Sequence, residues 1–353
     1  MQNSTSINNA KPERLIWPDF LRGILIILVI VGHAVQATYP DSFHEVLIWN
    51  VIYSFHMPAF IAISGWLAFK KEIPPMGGAI KKSKLEEFCA YCKRRFYQLM
   101  MPYLIWSFIR YLVSGEYNIH RLLEIITLPD SYFWFLWVLF WICIVHKLLN
   151  LISKCLSIND VFLNVLVCAF LFAISAIFNV KAYGISSTSY YFYFYLFGYY
   201  VHRYCDGFSI PKVVILFGII CWGGLACSWS QHNVPSWLDF VSFVPASIMN
   251  YVYRIITATI AVFAILAGMP YITVNTKSKL NQYTIILGQL SLGIYVVHIL
   301  LLHPMIDLFN EYVGGINKAF LVCVATILLA ALSFAIVWIF SVNKTISRIF
   351  LGK

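Results

Sequence analysis

Titratable side chains stand in this sequence where almost everything around them is apolar. In the run Trp17-Pro-Asp19-Phe-Leu-Arg22-Gly23-Ile-Leu-Ile-Ile-Leu-Val-Ile-Val-Gly32-His33, three of them share one stripe. Eleven helical steps return to within about 20° of the start, so Arg22 and His33 project from the same face, about 16 Å apart along the axis. Asp19 precedes Arg22 by one turn. An arginine at one end of such a stripe can hold phosphate through charge-assisted hydrogen bonds, with Asp19 orienting the guanidinium. A histidine at the other end is a natural general base, drawing the proton from a hydroxyl as it attacks a thioester. The plainer reading is an interfacial Asp19–Arg22 ion pair and a packed, hydrogen-bonded His33. The residues alone leave both open.

Other polar groups fall at similar depth. His56 lies in Phe55-His56-Met57-Pro58 with Ser64-Gly65 following, and His298 closes Ser291-Leu-Gly-Ile-Tyr295-Val-Val-His298. Arg254 stands beside Asn250, Tyr251 and Tyr253. A charged group at the centre of a bilayer costs about 3 kcal/mol on insertion scales, so each is a candidate for function. Any one alone reads as well as a satisfied core residue. Together they predict one polar cavity, which Pro58 and Gly65 would help to line by loosening their helix.

The elements that must carry these groups follow from composition. Of 353 residues, 61% are hydrophobic and 11% charged, where a soluble domain carries roughly 25% charged. The solvent for such a surface is lipid. Apolar runs of ~20 residues predict spans near 15–37, 46–69, 96–113, 132–150, 161–178, 188–204, 212–230, 243–269, 284–304 and 318–342. The expected fold is an all-α integral membrane bundle of about ten transmembrane helices. A short tail, 1–13, precedes a single membrane domain, 14–353.

The net charge of +10 reads as topology rather than nucleic-acid binding. With both termini in the cytoplasm, the inner side collects most of the Lys and Arg, including Lys81, Lys82, Lys84, Lys93, Arg94 and Arg95. The outer side keeps Arg121, Lys181 and Lys318. That is the positive-inside pattern, with some affinity for anionic membrane lipid. The nine cysteines form no extracellular framework. Cys89 and Cys92 make a lone C-x-x-C with no second pair, so no metal site is expected. Trp and Tyr crowd span ends, most densely over 190–200. They read as an interfacial belt or as a sugar-stacking surface.

The sequence resembles the membrane acyltransferase-3 family, which includes bacterial sugar O-acetyltransferases, and most of all its fucose 4-O-acetylase-like branch. The resemblance rests on Arg22 and His33 in their setting, Phe55-His56-Met57-Pro58-Ala-Phe60 with Ser64-Gly65, and Arg94-Arg95 ahead of Pro102-Tyr103. Phe133-Trp134-Phe135-Leu136 and the run ending at His298 complete it. Ala59 departs from the pattern, standing where a bulkier apolar residue is expected.

The resemblance implies a multi-pass enzyme of the bacterial inner (plasma) membrane that holds no bound cofactor. It would take acyl groups, usually acetyl, from cytosolic acyl-CoA to a carbohydrate hydroxyl at the outer face. His33 matches the family's essential histidine and Arg22 its paired arginine. Arg22, Asp19, Arg94 and Arg95 are the expected donor-binding residues. His56, Ser64, Trp134, Arg254 and His298 are the candidates for substrate or oxyanion contacts. Glu45 is the candidate acidic partner of His33, with Asp41 behind it. A transporter or flippase for a glycan or lipid intermediate would also need a polar membrane cavity, although no two-fold internal symmetry of the kind many transporters show is evident. A membrane scaffold or sensor is a third class.

Overall fold

Hydrocarbon offers no water to backbone N–H and C=O groups, so apolar runs satisfy them internally as helices. The computed structural model describes residues 15–70, 83–115, 117–129, 133–178, 182–205, 207–238, 240, 243–272, 274–312 and 317–353. The tail 1–13 and residues 71–82 of the Lys-rich loop lie outside the described residues, as does Lys181.

Among the described residues the chain is helical throughout, without strands. The helices are α1 (Trp17–Thr38), α2 (Leu47–Tyr53), α3 (His56–Ala68), α4 (Lys84–Arg95), α5 (Met101–Ser114), α6 (Ile119–Thr127) and α7 (Trp134–Leu156). They continue with α8 (Asp160–Phe178), α9 (Ile185–Cys205), α10 (Lys212–Cys227), α11 (Ala246–Gly268), α12 (Lys279–Tyr312), α13 (Lys318–Val342) and α14 (Lys344–Phe350).

Six segments are long and apolar enough to cross a membrane, namely α1, α2–α3, α7, α11, α12 and α13. The other four expected spans are helical too. By length and composition they fall short: α5 has 14 residues, α8 and α10 are short apolar helices, and α9 is loaded with tyrosine.

The second expected span, 46–69, is interrupted. Phe55 leaves helical geometry (φ −145°, ψ −24°) between α2 and α3. Proline has no N–H, and its ring clashes with the carbonyl four residues back. For Pro58 that carbonyl belongs to Ser54, at the break. Trp222 Nε1 donates to Ser54 Oγ across 3.1 Å and ties the break to α10. A similar cause stands beside α5. Pro102 would clash with the Gln98 carbonyl, and residues Phe96–Met100 form one wide π turn just before it.

Two glycine pairs set the closest approaches. A Cβ on Gly23 would lie 1.9 Å from the Thr284 carbonyl oxygen, and one on Gly288 only 1.6 Å from that of Asp19. The backbones of α1 and α12 therefore touch, as small residues permit in membrane helices. Gly65 and Gly198 do the same for α3 and α9. α1 and α12 run in the same direction, with Gly288 against Asp19 and His298 against His33. α3 runs opposite, with Trp66 against Trp17. Around this centre, α10 and α13 turn large apolar side chains outward, among them Phe217, Ile220, Ile327 and Ile339. Lipid is the solvent such faces fit.

Candidate active site

A cavity of about 350 Å³ runs between α1, α3, α7 and α12. From α1 it is lined by Asp19, Arg22, Ile26 and Val29, at the 3-4-3 spacing of one helical stripe. Met57, Phe60, Ser64 and Leu67 form the matching stripe of α3, and Phe135, Leu139 and Cys143 that of α7. Gln289, Ser291 and Tyr295 come from α12. One end is polar. There Arg22 and Arg95 join Asp19, Gln98 and Gln289.

The polar end is organised by hydrogen bonds. Asp19 is buried and pairs with Arg22 at 4.0 Å. Gln289 Nε2 donates to Asp19 Oδ2 at 3.3 Å, and Arg95 donates to Gln98 Oε1 at 3.2 Å. The expected Arg94–Arg95 pair divides. Arg95 is half-buried and lines the cavity, whereas Arg94 is exposed. Both guanidinium groups lie over the Tyr91 ring, at 5.4 Å for Arg94 and 5.2 Å for Arg95. Burial first, with the Cys143 thiol beside it, pushes the Tyr91 phenol up to about 12, so the ring stays neutral beneath its cations.

The other end stops where the histidines begin. Val29 is one turn before His33, Met57 follows His56, and Tyr295 precedes His298 by three residues. The rings gather there, with His33 5.4 Å from His298 and Tyr53 4.7 Å from His56. His33 is half-buried, and its hydrogen-bonding neighbour is Gln36. Gln36 Oε1 in turn accepts from the Tyr53 hydroxyl at 2.9 Å.

The other two imidazoles have a defined tautomer. A carbonyl oxygen can only accept, so His56 Nδ1 donates to Ile52 O at 2.7 Å and His298 Nδ1 to Ile294 O at 2.9 Å. Neutral rings so held carry a lone pair on Nε2. Among the described residues, none is a hydrogen-bond partner of the buried His298 Nε2, an acceptor whose burial is costly until a donor reaches it.

Arg254 and Trp134 join through an aromatic wall. Tyr53 stacks on Trp49 at 4.0 Å, and Trp229 lies 6.1 Å beyond. The Arg254 guanidinium sits 5.7 Å from Trp229 and 5.2 Å from Tyr190. Tyr190 meets Tyr191, which stacks on Trp134 at 5.0 Å. Tyr190 and Tyr195 are buried in the core, so this part of the tyrosine run is not an interfacial belt.

Ser64 lines the cavity, but its hydroxyl donates to Phe60 O at 2.9 Å. Glu45 is exposed on a short 3₁₀ turn, Phe43–Glu45, while the side chain at His33 is Gln36. Gln36 was legible, since it extends the stripe 19, 22, 26, 29, 33 by three residues. Gln289 left a fainter signal, an amide within an apolar run. Tyr53 left none beyond its aromatic neighbours, whereas Tyr191 belongs to the tyrosine run over 190–200 read as a sugar-stacking surface. Among the described residues, no three His, Cys, Asp or Glu side chains are placed to share a metal ion.

A family described as an acyltransferase domain matches residues 15–341. Two curated relatives carry the name Nodulation protein NolL. That of Sinorhizobium fredii (strain NBRC 101917 / NGR234) is 34% identical over 148 residues, covering 38% of this chain and 37% of the relative. That of Mesorhizobium japonicum (strain LMG 29417 / CECT 9101 / MAFF 303099) is 31% identical over 145 residues, covering 38% and 36%. The chain thus spans just over a third of the length of these relatives. No solved structure matches it.

Proposed function

Because this chain belongs to the membrane acyltransferase-3 family, its acyltransferase domain filling residues 15–341, we propose that it carries an acyl group, acetyl foremost, from cytosolic acyl-CoA to a carbohydrate hydroxyl at the outer face. The observation that carries this reading is the cavity itself. Its polar end presents Arg22 and Arg95, and its narrow apolar length ends one turn below His33. A donor with phosphates at one end and a thioester at the other fits that order. The ten-span topology with both termini inside, read from the charge asymmetry, would put the arginine end in the cytoplasm.

In the proposed reaction, Arg22 and Arg95 bind the donor's phosphates, and Asp19 with Gln289 holds Arg22 in place. The pantetheine arm lies along Ile26, Val29 and Met57. The acceptor hydroxyl enters from the other side and gives its proton to His33 as its oxygen attacks the acyl carbon, while a neighbouring hydroxyl of the same sugar donates to His298 Nε2. The tetrahedral intermediate collapses, the C–S bond breaks, and the CoA thiolate leaves with the proton from His33. Holding both reactants in one site supplies orientation that free reactants lack. With Nδ1–H committed to backbone carbonyls, His56 and His298 serve as acceptors for the sugar's other hydroxyls, not as oxyanion donors. The aromatic wall from Trp49 to Trp134 offers flat apolar faces to a sugar ring, with Arg254 between them.

The test is transfer of radiolabel from acetyl-CoA into a glycan extract, using membranes with wild type, His33→Ala or Arg22→Ala at matched expression. Label moved by wild type and lost in His33→Ala supports the reading. No transfer into any extract, or equal transfer by His33→Ala, defeats it and makes glycan transport the next assay.

A further inference from the structure

The polar mouth has a wall that the motifs do not supply. After α14 the chain turns back and inserts residues 351–353 between the π turn at 96–100 and α12. Leu351 is 1% exposed, and with Gly352 and Lys353 it lines the same cavity as Asp19 and Arg22. The insertion is firmly held. Asn343 caps α14 by accepting from the Thr345 and Ile346 N–H groups. Trp106 Nε1 donates to Phe350 O at 2.8 Å, and Leu351 N donates to Ser347 O at 2.9 Å. Gly352 turns with φ +68°, where a Cβ would lie 2.1 Å from the Gln98 carbonyl oxygen. Only glycine suits both the left-handed turn and that approach.

The turn delivers a cation. Lys353 Nζ donates to the backbone carbonyl of Gln289, and the Gln289 side chain holds Asp19, the partner of Arg22. Three side-chain cations and one side-chain carboxylate therefore line a single opening, and their charges sum to +2.

We propose that the strap 351–353 completes a polyphosphate-binding mouth, with Lys353 as a donor-binding residue that grips the phosphates of the CoA thioester alongside Arg22 and Arg95. This rests on the proposed use of acyl-CoA. Gln98 and Gln289 space the three cations, so their positions depend on the seating of Gly352 and Leu351. The ligand class follows from the opening's charge and from the apolar channel behind it, which suits a phosphate-headed chain better than a free anion.

The experiment uses the full-length protein in detergent, with binding of CoA and of 3′-dephospho-CoA measured by calorimetry and acetyl transfer assayed in parallel. Lys353→Ala and Lys353→Gln should weaken CoA binding and raise the donor KM about tenfold, the scale of one charge-assisted contact. Their kcat should stay within about twofold of wild type. Lys353→Arg should restore binding, and salt should weaken wild-type binding more steeply than that of Lys353→Ala. If wild type binds CoA and both neutral variants bind it equally well, Lys353 is not a phosphate contact and the inference fails while the donor reading stands. A lower kcat at unchanged KM would likewise overturn it, marking Lys353 as structural. If wild type binds no CoA, the donor reading and this inference fall together.

Discussion

Replacing Gly288 with alanine would test the contact on which the whole cavity depends. The new Cβ would stand 1.6 Å from the Asp19 carbonyl oxygen and 2.8 Å from the Gly23 nitrogen. Ordinary contact begins near 3.4 Å, so α1 and α12 must part or tilt by roughly 1.8 Å. Both obstructing atoms are backbone, and no side chain can swing aside. Overpacking of this kind costs about 1–3 kcal/mol, enough to lower the melting temperature of the solubilised protein. Function should suffer more than stability. α1 carries Arg22 and His33 while α12 carries Gln289 and His298, so the shift acts directly on histidine rings now 5.4 Å apart. A displacement of about 1 Å at reacting groups can cost ~100-fold in rate, so transfer should drop at least about tenfold. Acetyl transfer and thermal unfolding would be measured on one preparation, with Gly224→Ala as control because no atom of the described residues lies within 4 Å of its Cβ. A Gly288→Ala protein that transfers and melts like wild type would refute the backbone contact and the positioning argument built on it.

Arg95→Gln should raise the donor KM about tenfold, the worth of one charge-assisted hydrogen bond, whereas Arg94→Gln should stay within about twofold; donor saturation curves separate them. His298→Ala should lower acceptor-dependent transfer about tenfold to a hundredfold with the donor KM unchanged, because the proposed reaction gives its Nε2 to the acceptor; a donor KM that moves with it would place His298 elsewhere. Burial pushes the Cys92 thiol up, so less of it is thiolate at neutral pH. Maleimide should therefore modify exposed Cys89 first, with the gap narrowing as pH rises, and mass spectrometry of timed samples would show the order.

Much of one helix was legible in the sequence alone. A helix is a rigid periodic rod, so the stripe Asp19, Arg22, His33 follows from spacing alone, and the cavity lines that stripe through Ile26 and Val29. The six strongest apolar runs were equally readable, since hydrocarbon admits little but helix. The break at Ser54–Phe55 was half legible. Pro58 announced loosening, but the site of the break also depends on Trp222, 168 residues away, donating to Ser54.

Three-dimensional packing decided the rest. Nothing local says that His298 will meet His33, because that meeting depends on Gly23 and Gly288 letting two backbones touch. Arg254 joins the aromatic wall only through the faces of Tyr190 and Trp229, from two other helical regions. The division of Arg94 from Arg95 depends on which side of α4 faces the bundle. Lys353 carries no motif at all; it arrives at the mouth because Gly352 can turn left-handed against Gln98. Sequence periodicity reports what one element does with its own side chains. Which elements share a cavity is set by long-range contacts between surfaces, and those have no local signature.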